Sequence, residues 1–289
     1  MQLDRKLSRL AIPSKGRLQE SSEQLLKAAG IKFRKRERSL LAHVEGLDLA
    51  VLFVRPDDIP ILVAEGAADL GIVGRDLVHE HACEQRVTQV LDLDFGHCRT
   101  CLAARTSGKI RKVKDLAGLK VAASMVHTAR EYFRQRKVKA QVVEVSGSVE
   151  IMAALGLADA IVDLVESGDT LRDNGLHIIE TIAPSQAILI QGSHVRDAQL
   201  CARVRRRLEG VLTARQYTLL EYNINRAALK EADKIAPGFD SPTISETKNK
   251  NIVAVKVMIP KLRSVEIMDK LEGLGASAIL ETAILNCRL

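Results

Sequence analysis

The chain has 289 residues, of which 46% are apolar and 27% charged. That is ordinary globular usage and excludes wholesale disorder. Aromatics make up 3% and Trp is absent, so the core must be aliphatic and a base-stacking single-strand binder is disfavoured. The formal charge of +7 favours anionic partners: nucleic acid, a membrane surface or phosphorylated metabolites. No apolar run reaches the length of a membrane span. The opening MQLDRKLSRL does not read as a signal peptide. Five cysteines, an odd count in a chain large enough to fold without staples, predict reduced thiols and a cytoplasmic location.

In chain order, Arg9–Ile12 reads as a strand and Leu18–Ala29 as an amphipathic helix stopped by Gly30. Leu47–Val54 is a strand, Ile59–Glu65 a short helix capped at Asp57 or Asp58, and Asp69–Val73 a strand. Strands Val87–Leu93 and Cys101–Ala104 meet at the polar corner Asp94–Arg99. Strands Leu119–Ala123, Gln141–Val145 and Ala158–Val162 then alternate with helices Thr128–Gln135, Val149–Leu155 and Ser167–Asn174. Such alternation predicts α/β architecture around largely parallel sheets. Leu176–Ile182 and Gln186–Gln191 are strands flanking a crossing at Ala183–Pro184, and Val195–Leu220 is a long helix. A helix at Arg226–Lys234, extended Thr243–Ser245, strand Ile252–Met258, helix Val265–Leu274 and strand Ala278–Leu285 follow. The β-α-β-β-α-β order suggests a small ferredoxin-like unit.

The most informative stretch is ADAIVDLVESGDTL, Ala158–Leu171. A strand delivers Asp163 at its carboxyl end, and four residues later Ser167-Gly168-Asp169-Thr170 opens a helix. A helix start offers unpaired N–H groups and a positive dipole end to a phosphate. Gly168 lets the backbone approach the anion, and the Ser167 and Thr170 hydroxyls add donors. Asp163 sits about one ribose away, where a carboxylate can accept from sugar hydroxyls and stabilise positive charge on the ring. Glu166 and Asp169 put negative charge beside that phosphate unless their side chains turn away. A capped helix with no ligand is the bland alternative.

This loop resembles the phosphoribosyl pyrophosphate (PRPP) motif of phosphoribosyltransferases. Further blocks extend the likeness: Pro13–Leu18, Arg55–Pro60, Asp69–Asp76, Leu93–Arg99, Gly147–Glu150, Gly156–Ala160, Ser241–Ile244 and Gly275–Leu280. Together, from about Ala11 to the last residue, they resemble ATP phosphoribosyltransferase, the first enzyme of histidine biosynthesis. The resemblance implies a two-lobed catalytic body like type II periplasmic binding proteins, with the site in the cleft and crossings near Phe95 and Ala183. Residues 1–95 and 184–217 would form catalytic domain I, and 96–183 the PRPP-binding domain II. Residues 218–289 would form a ferredoxin-like (ACT-like) regulatory domain that binds histidine, marking the long form, which needs no separate regulatory subunit.

The implied reaction joins N1 of the ATP adenine to C1 of PRPP and expels pyrophosphate. Mg²⁺ would ride on the substrate phosphates, with no metal held by the protein alone. Asp159 and Asp163 would face the ribose, and Ser167, Gly168, Asp169, Thr170 and Leu171 would wrap the 5′-phosphate. Lys15, Gly16, Arg17, Arg55, Gly74, Asp94, Cys98 and Arg99 are the candidates for ATP and the remaining phosphates. Histidine would meet Phe239, Ser241, Thr243 and Ala278, with Met258 nearby and Asn223 where the family carries an Asp. A neutral amide holds an ammonium less strongly than a carboxylate does. Family analogy implies homo-oligomers, dimers and hexamers, and no nucleic-acid or membrane partner.

Other signals are weaker. Cys98-Arg99-Thr100-Cys101 offers too few ligands for a zinc site and looks extended rather than helix-opening. The run Lys32–Arg38 reads as a solvated basic edge. His79 and His81, two apart, are a poor metal pair on a helix. Gly147–Glu150 is either a helix start lining the cleft or a plain cap. A solute-binding protein would require a secretory leader. A nucleic-acid-binding regulator would require a dense basic helix, which only Arg203–Arg207 approaches.

Overall fold

The computed structural model describes residues 7–34 and 39–288; part of the basic run, Lys35–Arg38, lies outside the described residues, as does most of the opening segment. The chain begins β1 (Ser8–Pro13), α1 (Gln19–Ala28), β2 (Leu41–His43), β3 (Leu49–Val54), α2 (Asp58–Ala64), β4 (Leu70–Gly74), α3 (Arg75–Glu80) and β5 (Val87–Asp92). It continues through β6 (Cys98–Arg105), β7 (Lys120–Ala123), α4 (Val126–Gln135), β8 (Gln141–Glu144), α5 (Val149–Ala154), β9 (Ala160–Val165), α6 (Asp169–Asp173), β10 (Leu176–Ser185) and β11 (Ala187–Gly192). Then come α7 (Ala198–Gln216), β12 (Tyr217–Asn225), α8 (Leu229–Ile235), β13 (Thr243–Glu246), β14 (Ile252–Pro260), α9 (Ser264–Gly273) and β15 (Ser277–Ala283).

The described residues fall into two compact units. One runs to Arg205, and the other takes Arg206 onward together with Leu25–Gly30. The first unit holds two sheets, ordered β2-β3-β1-β4-β11-β5 and β10-β6-β9-β7-β8. Parallel neighbours are β3-β1-β4 in the first sheet and β9-β7-β8 in the second. β5 and β10 run the same way, each beyond one reversed strand, β11 or β6, and β2 pairs antiparallel with β3. Most strands of both sheets therefore share one direction, as expected, although the pairing is mixed. β6 and β11 are reversed because each enters its sheet directly from the other, with no crossover helix. Both sheets show one pattern, a parallel trio flanked by a strand that has arrived from the other sheet. This is the two-lobed, type II binding-protein topology.

Val87–Asp92 and Cys98–Arg105 do not pair across their corner, since β5 belongs to the first sheet and β6 to the second. The two crossings are tied together: Ala187 N–H donates to Phe95 O at 2.9 Å, and Leu93 N–H to Ala187 O at 3.0 Å. Aliphatic side chains fill both lobes as the composition requires. Ile59, Val63, Val73 and Ile190 are buried in one, and Leu102, Val121, Phe133 and Val162 in the other.

In the second unit the helix expected over Val195–Leu220 stops at Gln216. Tyr217–Asn225 alternates half-buried and buried residues, the period of a strand, and pairs along its whole length with β14. That strand supplies the first β of the β-α-β-β-α-β unit. The antiparallel sheet β13-β14-β12-β15 buries Leu220, Tyr222, Val255 and Val257 against Ala232, Ile267 and Leu271 of its helices. This is the ferredoxin-like arrangement.

One buried ion pair pins the first lobe. Asp69, 1% exposed, accepts from Arg9 N–H at 2.8 Å, Arg196 N–H at 2.6 Å and Arg196 Nη1 at 2.8 Å. It thereby joins the start of β1, the start of β4 and the segment after β11. Asp69→Ala would strip a mostly buried guanidinium of its counter-charge, leaving it only Gly66 O, and would remove the acceptor of two backbone N–H groups. We expect a loss of about 3 kcal/mol of unfolding free energy, read as a lower urea midpoint at unchanged m-value.

Candidate active site

The carboxyl ends of the parallel strands from both sheets open into one cavity of about 350 Å³. Lys15, Gly16 and Arg17 follow β1, Pro56 and Asp57 follow β3, and Gly74 and Asp76 lie where β4 gives way to α3. Across from them stand Ser124 and Met125, after β7, and Asp163 on β9. Ligands collect at such strand ends because the sheet leaves a crevice there. A second cavity of about 300 Å³ shares Arg17 and Leu164 with the first. It is bounded by Glu150, Glu166, Ser167, Gly168, Thr170 and Leu171.

Asp163 is the best-defined group. Its Oδ1 accepts from Ser124 Oγ at 2.6 Å and from Leu164 N–H at 2.8 Å, and no hydrogen bond reaches Oδ2 from the described residues. Burial raises its pKa above the ordinary carboxylate value, and nearby Glu150 pushes the same way, against the two hydrogen bonds. At Gly168 the backbone turns left-handed, φ +88°, which glycine alone adopts without cost. The helix it opens, α6, is a single turn. The two carboxylates that threatened an anion there are both neutralised. Glu166 pairs with Arg17 at 3.1 Å. Asp169 is held by Ser167 Oγ and Arg172, and its pKa is lowered by those partners.

Arg17 spans the cleft. Besides Glu166, it donates to Gly96 O at 3.2 Å and to Cys98 Sγ at 3.0 Å. Burial raises the Cys98 thiol pKa, so it stands there as a neutral thiol. Cys98 and Cys101 lie on an extended strand, and among the described residues all five cysteines are free. Gly74 is forced by close approach, since a Cβ there would lie 2.3 Å from Asp76 Oδ1.

The structure does not bring every candidate together. Asp159 precedes β9, at the end opposite Asp163, and its carboxylate accepts from Lys120 N–H at 2.9 Å. Four strand steps, about 13 Å, separate the two, and Asp159 lines neither of the two cavities described above. Its carboxylate ties the entries of β7 and β9. Arg55 is exposed beside Pro56 at the rim, and among the described residues neither it nor Lys15 pairs with a carboxylate. Asp94 sits on the crossing with φ +55° and faces His97 at 3.2 Å. Arg99 lies on β6 opposite Val165, its Nε buried without a partner among the described residues. Gly147 and Ser148 lead into α5, whose Glu150 reaches the second cavity.

Sequence reasoning missed Ser124, Asp57 and Asp76 as parts of the cleft. A hydroxyl directly after the strand Leu119–Ala123 was the available signal. A further cavity of about 400 Å³ lies beyond Asp76, lined by Val78, Val87, Ile188 and Ile190 together with polar residues that include His79, Glu84 and Thr128.

In the second unit, Asn223, Thr243 and Met258 share the sheet face turned away from α8 and α9. Asn223 lies four residues along β12 from Leu219, which faces Met258. Phe239, half exposed, meets Tyr217 edge-on with ring centroids 6.2 Å apart. Ser241 is exposed on the loop before β13, and Ala278, the second residue of β15, has φ +51°.

The raised pKa of Asp163 has a thermodynamic sign. The folded chain holds this proton to higher pH than an unfolded Asp, so stability falls as pH rises through the folded value, and the penalty persists above it. Asn in its place accepts the same two hydrogen bonds without charge. Asp163→Asn is expected to melt at or above the parent at neutral pH, with the advantage shrinking as pH approaches about 4. A lower neutral-pH melting temperature for the variant would contradict this.

Comparison with known proteins adds an independent line. A family profile described as ATP phosphoribosyltransferase matches residues 55–210, and one described as HisG, C-terminal domain, matches residues 214–286. The ATP phosphoribosyltransferase of Rhodopirellula baltica is 46% identical over 281 residues, covering 97% of this chain and 93% of that protein. That of Saccharomyces cerevisiae is 39% identical over 286 residues, with 96% of each chain covered. The solved ATP phosphoribosyl transferase (HisG:HisZ) complex from Thermotoga maritima superposes at TM-score 0.62 with 29% identity. The match covers 70% of this chain and 96% of that one.

Proposed function

Because the chain belongs to the ATP phosphoribosyltransferase family, and so carries out the first step of histidine biosynthesis, we propose that its reaction takes place in the cleft between Lys15–Arg17 and Asp163. The observation that carries this placement is the Asp163–Ser124 pair at the strand ends, beside the Gly168 turn.

The substrates are ATP and PRPP. The 5′-phosphate sits against the Ser167–Leu171 turn, where backbone N–H groups and the Ser167 and Thr170 hydroxyls are its donors. The free Oδ2 of Asp163 accepts from the ribose hydroxyls. As pyrophosphate leaves C1, positive charge grows on the ring, and a carboxylate fixed in a partly desolvated site stabilises it without reorganising. Adenine N1 already carries its lone pair, so the protein's main work is to position two polyanions. Lys15 and Arg55, free of carboxylate partners among the described residues, and Arg17 on the same loop meet their phosphates. Mg²⁺ fits this cleft chemically, since Asp57, Asp163 and Ser124 are oxygen donors of the kind it takes. Bound with the substrate, it would neutralise charge on the leaving pyrophosphate.

Unpaired carboxylates would repel such substrates; here Glu166 and Asp169 are already paired, which supports the phosphate reading. The C-terminal unit, matched by the HisG C-terminal profile, supports our reading of residues 218–289 as a regulatory domain with histidine its ligand. The solved neighbour is a complex of HisG with HisZ and covers 70% of this chain, so the reading of regulation within one chain rests on the C-terminal unit alone. Free thiols support a cytoplasmic location.

Asp163→Asn should lower kcat in a pyrophosphate-release assay with ATP and PRPP by at least about tenfold, or roughly 1.4 kcal/mol of transition-state stabilisation. An unchanged kcat would remove Asp163 from the chemistry. Calorimetry of the parent chain with histidine should show saturable binding, and Asn223→Asp should tighten it, because a carboxylate grips an ammonium more strongly. A flat titration at millimolar histidine would end the regulatory reading.

A further inference from the structure

His79 and His81 point to different places, but His79 has another partner. It lies in the last turn of α3, after β4 of the first sheet, and α4, after β7 of the second, places His127 and Glu131 one turn apart on the facing side. His79 Nε2 lies 3.1 Å from Glu131 Oε2, and His127 Nε2 lies 4.0 Å from the same oxygen. One ligand atom from each of the three residues falls within 4.8 Å of the others. Ligands at about 2.0–2.1 Å from a tetrahedral zinc stand about 3.4 Å apart, close to this spacing.

The ring of His79 is flanked by acceptors on both sides, since its Nδ1 faces Glu84 Oε1 at 2.5 Å. A neutral imidazole has a single N–H, so with that proton on Nδ1 the Nε2 lone pair meets a carboxylate oxygen. A protonated ring would donate to both carboxylates, and with the ring neutral a divalent cation at Nε2 would bridge the same two atoms. The Glu84 contact then becomes the outer carboxylate that fixes a ligating histidine. The other oxygen of Glu131 is already occupied, accepting from Arg134 Nη2 and Gln135 Nε2, each at 3.3 Å. That leaves Oε2 for the ion.

The junction is built independently of any metal. Glu80, beside His79, accepts from His127 N–H at 2.7 Å, Thr128 N–H at 3.0 Å and Thr128 Oγ1 at 2.9 Å. This caps α4 from α3 and holds the histidines in register, with the ring centroids 5.6 Å apart. Both rings are partly exposed, so an ion has access.

The geometry points to a binding site for a borderline-soft divalent metal, zinc or cobalt, formed by His79, His127 and Glu131, with Glu84 orienting His79 and water in the open position. Two imidazoles and one carboxylate select such ions over Mg²⁺. The site bridges helices from the two sheets of the catalytic body, so loading would staple them together.

The test is titration of the full-length chain with Co²⁺ alone. Saturation near one equivalent is expected, with the visible band of a tetrahedral nitrogen–oxygen site and no thiolate charge-transfer band. The melting temperature should rise on loading, and a large excess of Mg²⁺ should not displace the ion. His127→Ala should abolish the band, and Glu84→Gln, checked for native circular dichroism, should weaken binding about 10- to 100-fold. A thiolate band would place the ion on cysteine and overturn the site. So would equal affinity in the parent and in a His79→Ala/His127→Ala variant, or a parent that does not saturate.

Discussion

Everything about the cleft depends on how the chain passes between its two sheets, and the contact that fixes this passage is between Asp76 and Ser185. Ser185 ends the last strand of the second sheet, and Asp76 lies in the first turn of a helix that leaves the first. Ser185 Oγ donates to Asp76 Oδ1 at 2.5 Å and accepts from Asp76 N–H at 3.0 Å, with both residues buried. The carboxylate occupies the space that a side chain at position 74 would need. A buried acceptor stripped of its donor costs the full desolvation of that group, so this link is expensive to break. It aligns the two sets of strand ends so that both face one cavity.

On that frame the site's electrostatics follow. A cleft that takes two polyanions must carry net positive potential without repelling them at any single contact. The chain does this by pairing, not by omitting, its acidic residues. Glu166 is turned to Arg17 and Asp169 to Arg172, while Lys15 and Arg55 stay unpaired among the described residues. Asp163 is the exception. Half sheltered and held by Ser124 and Leu164 N–H, it is less comfortable as an anion than an exposed Asp. In the reaction proposed for this cleft, that discomfort would make a cation growing beside it favourable.

How much of this could be read from residues alone differs by the range of the interaction. The strand–turn–helix around Ser167–Thr170 was legible because the hydroxyls, the glycine and the apolar strand are all local. The likeness that runs through the chain gave the two lobes and their crossings. Asp159 and Asp163 have the same residue type and share a face of one strand, so sequence spacing cannot separate them. Only the direction of β9, set by its parallel pairing with β7, puts one at the cleft and the other at the far edge. Tyr217–Leu220 was read as helix because it continues Leu208, Val211 and Leu212 at helical spacing. The period-2 burial that overrides it exists only once β14 is alongside. Ser124, Asp76 and the His79–His127 juncture were illegible for the same reason. Each is defined by a partner more than 35 residues away.

The ties across the cleft differ in strength, and the difference has a direction. Arg17–Glu166 joins the loop after β1 to the loop after β9 at the cleft's mouth. The Glu166 side chain is 59% exposed, and such a pair is worth at most about 1 kcal/mol. Asp76–Ser185 is buried and charge-assisted, and the paired crossings at Phe95 and Ala187 reinforce it. The tie at the mouth is therefore the weaker of the two. An incoming phosphate that draws the Arg17 guanidinium away from Glu166 exchanges a weak, screened pair for a charge-assisted one. On the proposed placement, substrate binding would therefore cost little at the mouth and leave Asp163 and Ser124 in place.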